Sequence, residues 1–203
     1  MKKIAITGGI GCGKSTFTRY LSMLGYLTTD ADTLNRIALL DNGIITTLTK
    51  QFGSSILDST GKIHRQNLGT IIFADPSKRK ELEKTMHPHI ANQFEIMANK
   101  IADLCPTAWF FYEASLIFEA GRQNDFDAII LVTCDVAIRT QRLKDSRGMN
   151  ESQIAAVMAS QMSDADKQNK STLVVDNSGD EPALLKEVFA IVHKLATHLA
   201  IPK

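Results

Sequence analysis

The residues Gly8-Gly9-Ile10-Gly11-Cys12-Gly13-Lys14-Ser15 match G-x-x-x-x-G-K-[ST] at every specified position. Each residue type has a role in holding phosphate. Glycines let the backbone turn tightly and aim N–H groups inward at phosphate oxygens. A helix beginning near Gly13 adds the positive end of its dipole. The Lys14 ammonium can reach the β- and γ-phosphates of a nucleoside triphosphate, and the Ser15 hydroxyl can ligate Mg²⁺. Cys12 occupies an unconstrained position of the loop, as a small residue that fits the turn.

Phosphoryl transfer also needs a carboxylate near the acceptor hydroxyl. In an open α/β sheet, ligands collect at the carboxyl ends of the strands. Asp30 and Asp32 follow one predicted strand and Glu113 ends another. Asp32 is the candidate base, and Glu113 is a candidate metal or substrate contact. Asp30 has the alternative of capping the next helix.

Those residues must be positioned by a βα alternation. Lys2–Thr7 reads as a short apolar strand running directly into glycines. A helix follows from Lys14, with Phe17, Tyr20, Leu21 and Leu24 on one face and Gly25 closing it. Tyr26–Thr29 reads as the second strand. From 31 to 105 the pattern is mainly helical, with no core strand. The best-marked helix there carries Ile90, Phe94, Met97 and Ile101, with Pro88 in its first turn and His87 at its start. Strands resume at Ala108–Tyr112, Ala128–Thr133 and Thr172–Val175. A charged helical stretch lies between the last two, and a closing helix opens at Pro182. Five strands each followed by helix predict a three-layer α/β fold with a five-stranded parallel sheet.

Bulk properties narrow the classes. The 203 residues suffice for one domain with an insertion, and the net charge of +1 gives no general drive toward nucleic acid or an anionic membrane. Three well-separated cysteines make neither a disulfide framework nor a zinc spacing. No run approaches the roughly 20 apolar residues of a membrane span, and the run after Lys3 is too short for a secretory leader. The expectation is a reduced, cytoplasmic setting.

Taken in order, the motifs resemble the dephospho-CoA kinase family. They are the loop from Thr7 to Ser15, Asp30-Ala31-Asp32 with Arg36, Phe52-Gly53, Arg65, His87-Pro88, Leu116-Ile117-Phe118-Glu119, Gln161-Met162 and Asp176-Asn177-Ser178-Gly179. The resemblance covers nearly the whole chain. It implies a P-loop kinase that uses ATP and Mg²⁺ to phosphorylate the ribose 3′-hydroxyl of dephospho-CoA, the last step of coenzyme A biosynthesis. It implies a nucleotide-binding core of 1–30, 106–135 and 171–203, a CoA-substrate subdomain of 31–105 and a lid of 136–170. ATP would be held by Gly8, Gly9, Gly11, Cys12, Gly13, Lys14, Ser15, Thr16, Arg142, Arg147, Asn177, Ser178 and Gly179. The acceptor would meet Asp32, Arg36, His87 and Glu113, with Asp32 and Lys14 catalytic.

The chain departs from the family's pattern in two places. Glu113 stands where aspartate is common, and Val157 stands at a lid position that often carries arginine, leaving Arg139, Arg142 and Arg147 as the lid's cations. The rival readings are another nucleoside or nucleotide kinase of the same fold, and a GTPase-type switch. Against the switch, Asn169-Lys170-Ser171-Thr172 fails the guanine-reading Asn-Lys-x-Asp at its last position.

Overall fold

The computed structural model describes residues 1–199, so residues 200–203 of the expected core lie outside the described residues. The chain divides into two compact units, one of Met1–Asp30 with the chain from Ile101 onward, the other of Ala31–Lys100.

The first unit holds β1 (Lys2–Thr7), β2 (Leu27–Asp30), β3 (Trp109–Glu113), β4 (Ala128–Thr133) and β5 (Leu173–Asp176). They form one sheet in the order β2-β3-β1-β4-β5, and every pairing is parallel. Alternate residues of the three inner strands face opposite ways. Ile4, Ile6, Phe111, Ile130 and Val132 share a core with Phe17 and Leu21 of α1 (Lys14–Met23) and with Leu184, Val188, Ile191 and Leu195 of α9 (Glu181–His198). On the opposite face Tyr112 stacks on Phe126 with ring centroids 5.8 Å apart. Burial on both faces explains why Ile4–Ile6 of β1 and Ala128–Val132 of β4 are continuous apolar runs rather than alternating. Trp109 is core, stacked on Tyr26 at 5.8 Å.

β1 and β4 have the expected bounds, while β2, β3 and β5 each move by one residue: β2 spans Leu27–Asp30, so Asp30 is its last residue. The charged stretch 136–170 is three helices: α6 (Val136–Arg147), α7 (Glu151–Ala159) and α8 (Asp164–Lys170). Each starts at a side-chain cap, from Asp135, Asn150 and Ser163 respectively, which satisfies N–H groups that a helix start leaves free.

The second unit is helical: α2 (Ala31–Ala38), α3 (Asn42–Phe52), α4 (Arg65–Ala74) and α5 (Pro76–Leu104), whose last residues enter the first unit. Asp58-Ser59-Thr60-Gly61 is a turn, with Asp58 Oδ1 accepting from the N–H groups of Thr60 and Lys62 at 2.8 and 3.1 Å. His64 caps α4 by accepting from the Asn67 N–H at 3.3 Å.

The expectation that a helix begins at His87-Pro88 is corrected: α5 runs through Pro88 without ending. Met86, Ile90, Phe94 and Ala98 recur every four residues on both sides of the proline, and all are buried. An interior proline costs about 3 kcal/mol. Each large side chain buried on that stripe contributes about 1.5–3 kcal/mol, so continuity wins.

Candidate active site

β1 delivers the chain into the phosphate-loop sequence, and Gly13 is the N-cap of α1 with φ 84°. Two glycines are there for lack of space. A Cβ on Gly8 would sit 2.2 Å from the Val132 carbonyl oxygen, and one on Gly13 would sit 2.1 Å from Asn177 Nδ2. The Lys14 ammonium curls over the loop and donates to the Gly8 and Gly9 carbonyls, both at 3.0 Å. Burial pushes it below the ordinary lysine value, opposed in part by the charge of Glu113.

β3 ends at Glu113, in register with Ile6 of β1 on one side and Asp30 of β2 on the other. Strand register therefore sets a carboxylate beside the start of α1. The Ser15 hydroxyl donates to Glu113 Oε1 at 2.7 Å. A hydroxyl and a carboxylate oxygen in contact at a phosphate loop are hard donors of the kind that suit Mg²⁺.

The turn after β5 meets the loop from the other side. Asn177 is buried and donates from Nδ2 to the Cys12 carbonyl at 2.8 Å. Ser178 accepts at Oγ from the Asp135 N–H at 2.9 Å. Arg142 of α6 donates to the carbonyls of Asn177 at 3.0 Å and Gly179 at 3.3 Å. Gly13, Thr16, Arg19, Arg142, Asn177 and Asp180 are among the residues that line an open cleft of about 340 Å³. Gly13 at the end of the loop, α1 and the turn after β5 thus line one cleft.

The three arginines of α6 do different things. Arg147 is exposed at the helix end, Arg142 is tied to the β5 turn, and Arg139 is buried. Arg139 donates to Cys12 Sγ at 3.3 Å and pairs with Asp164 Oδ2 at 2.5 Å. It is therefore part of the wall of the loop, unlike the solvent-facing lid cation that the charge pattern suggests. Val157 is half-buried on α7. Burial pushes the Cys12 and Cys134 thiols up, so both are neutral packing groups.

Of the expected site residues, the first unit brings together Gly8, Gly9, Gly11, Cys12, Gly13, Lys14, Ser15, Thr16, Glu113, Arg142, Asn177, Ser178 and Gly179 on or around one loop. Asp32, Arg36 and His87 belong to the second unit. Asp32 lies in the first turn of α2, two residues past the end of β2, where the helix dipole favours a carboxylate. Arg36 donates to Thr33 Oγ1 at 2.9 Å, and His87 is exposed on α5.

Sequence reasoning missed two supports. Lys167, fully buried, pairs with Glu119 Oε1 and donates to the Ser115 carbonyl, both at 3.0 Å. Nothing in the polar run Asp164–Lys170 marks which lysine turns inward. Gln161 accepts from the Ile10 N–H at 3.0 Å. Its place in the motif order was visible, but not its contact. No helix among the described residues is long and apolar enough to cross a membrane.

Known proteins resemble this chain in sequence and fold. The family model described as dephospho-CoA kinase matches residues 2–182. The dephospho-CoA kinase of Geobacter sulfurreducens is 35% identical over 193 residues, 93% of this chain and 95% of that one. That of Thermobifida fusca is 30% identical over 98% of both chains. Among solved structures, a Thermus thermophilus protein superposes with a TM-score of 0.79 at 27% identity, covering 96% of this chain and 97% of the other. A shikimate kinase from Acinetobacter baumannii, at 14% identity, shares the fold with a TM-score of 0.53 over 97% of this chain and 94% of its own.

Proposed function

This chain belongs to the dephospho-CoA kinase family, and from that premise we propose that it transfers the γ-phosphoryl group of ATP to the ribose 3′-hydroxyl of dephospho-CoA, giving coenzyme A and ADP. The observation that carries the reading is the family match over residues 2–182, which includes the loop holding Lys14 and Ser15 beside Glu113.

In the proposed mechanism, the Gly8–Gly13 backbone and Thr16 receive the ATP phosphates. Lys14 leaves the Gly8 and Gly9 carbonyls and donates to the β- and γ-phosphates instead, which restores partners to a desolvated ammonium. Ser15 and Glu113 are the residues that would hold Mg²⁺. The bound ion would neutralise charge on the β- and γ-phosphate oxygens. Asn177 and Arg142 line the cleft proposed to take the adenine, and Ser178 and Gly179 continue the turn that carries Asn177. Asp32 accepts the proton of the attacking 3′-hydroxyl, and Arg36 and His87 contact the acceptor. Residues 31–105 form the acceptor-binding subdomain. Residues 136–170 form the lid, in which exposed Arg147 would reach the triphosphate. Residues 1–30, 106–135 and 171–203 are the nucleotide core.

The test is dephospho-CoA-dependent ADP release, with and without Mg²⁺, against a panel of nucleosides and nucleoside monophosphates. Turnover of dephospho-CoA that vanishes on chelation is the expected result. Phosphorylation of a nucleotide acceptor with none of dephospho-CoA would overturn the assignment.

A further inference from the structure

The segment joining α7 to α8 makes more bonds to the phosphate loop than its place in the chain suggests. Gln161 is 151 residues from Ile10, yet its Oε1 accepts the Ile10 N–H at 3.0 Å. Three residues on, Asp164 takes Arg139 Nη2 at 2.5 Å, and Arg139 Nη1 reaches Cys12 Sγ at 3.3 Å. Arg139 also packs against the loop backbone: a Cβ on Gly9 would lie 2.5 Å from Nη1, and one on Gly11 would lie 3.0 Å from its Cβ. The loop is thus gripped at its tip, at Ile10, and along its outer side, at Gly9, Gly11 and Cys12.

The gripping segment is itself held down. The Met162 N–H donates to Glu119 Oε1 at 2.9 Å, and the same oxygen pairs with fully buried Lys167 at 3.0 Å. The Lys167 ammonium in turn donates to the Ser115 carbonyl, which also accepts from Thr7 Oγ1 at 3.3 Å. Thr7 is the last residue before the loop. The chain of contacts therefore starts and ends on the two sides of the loop.

We infer that Gln161 and Asp164 are positioning residues that form a two-point clamp, holding the phosphate loop in its anion-binding shape before nucleotide arrives. A loop of inward N–H groups has no anion to organise it when empty, and its own glycines favour many other conformations. Preorganisation removes the cost of ordering it on binding. The Ile10 N–H, taken by Gln161, serves the loop's shape and is not one of the phosphate donors. The inference rests on reading Gly8–Ser15 as the ATP phosphate loop, and it goes beyond that reading in assigning the α7–α8 junction a role in affinity for phosphate.

The clamp predicts a discrimination that general damage would not produce. Gln161→Met keeps the side chain's size and removes the acceptor, and Asp164→Asn removes the charge opposite Arg139. Titration of each variant with ADP and with adenosine separates the loop from the base cleft. Losing one neutral hydrogen bond corresponds to about a fivefold change in affinity. The expected result is a Kd for ADP raised by about fivefold or more, an adenosine affinity unchanged within about twofold, and faster exchange of the Ile10 amide in Gln161→Met. Unchanged ADP affinity in both variants, or equal losses for ADP and adenosine, would overturn the clamp. If Gln161→Met does not fold, Asp164→Asn decides by the same comparison. Wild-type protein that binds no ADP would defeat the nucleotide reading itself, a result distinct from failure of the clamp.

Discussion

The Ser15 hydroxyl donates to Glu113 Oε1 at 2.7 Å, joining the first turn of α1 to the end of β3 across 98 residues of chain. The pairing puts the Glu113 carboxylate in direct reach of the loop serine. Glu113→Ala should lower kcat/KM by on the order of 10²-fold and raise the divalent-ion concentration needed for half-maximal rate. Glu113→Asp should keep most of the activity. A metal titration of dephospho-CoA-dependent ADP release checks both, and an unaltered metal requirement in Glu113→Ala would remove Glu113 from the ion's site.

Asp32 carries the proposed proton transfer. Asp32→Asn preserves shape and removes the base, so kcat should fall by on the order of 10²–10⁴-fold. ADP affinity should stay the same, because the phosphate loop is untouched. Single-turnover kinetics with calorimetric ADP binding make the measurement; full turnover in the variant would strip Asp32 of its role.

Lys14 gives a pH signature. Its ammonium is desolvated, so its proton leaves below the ordinary lysine range in the free protein. Phosphate needs the charged form, so ATP affinity should weaken as pH rises through that lowered value. Bound phosphate restores a counter-charge and raises the value again, so binding on the alkaline side should take up a proton. Calorimetry in buffers of different ionisation enthalpy detects that uptake. For folding the sign is reversed. Between the lowered and the ordinary value the unfolded chain binds more protons, so this group's contribution to stability grows as pH rises. Absence of proton uptake by the wild-type protein in alkaline buffer, or the same uptake in Lys14→Met, would contradict the assignment.

The Lys167–Glu119 pair is a stability prediction. Lys167 is fully buried, while the Glu119 side chain keeps 21% exposure. Glu119→Ala strands the ammonium, at a cost of about 3 kcal/mol. Replacing both partners, as Glu119→Leu with Lys167→Met, should recover much of that loss. Urea denaturation at fixed pH reads both. A Glu119→Ala midpoint equal to wild type would mean that the pair contributes nothing.

Much of the fold was legible because its signals are local. The apolar runs of β1 and β4 read as strands, since both faces of the sheet are covered and every residue there is buried. The helical character of 31–105 was legible from spacing. Pro88 was misleading, because local propensity puts a helix start there while burial of Met86 and Ile90 on either side carries α5 through. Asp32 read as a strand-end residue, but the backbone turns helical at Ala31, too short a distance for pattern to resolve. In the site, residues with a stereotyped spacing were visible. Lys167 was not, nor were the contacts of Arg139 and Gln161, since whether a polar side chain turns inward depends on partners more than fifty residues away in several cases.

The sequence by itself determined the phosphate loop, the parallel α/β layout and the family, because each rests on residue types at short, fixed spacings. Only the tertiary structure decided that Glu113 meets Ser15, that Asn177 braces Cys12, and that Arg139 is spent on Asp164 and the loop wall rather than left free over the site. The physical reason is that register and burial are properties of the assembled sheet. A parallel pairing fixes Glu113 opposite Ile6 and Asp30. A buried charge is placed by whichever carboxylate or carbonyl the packing brings to it.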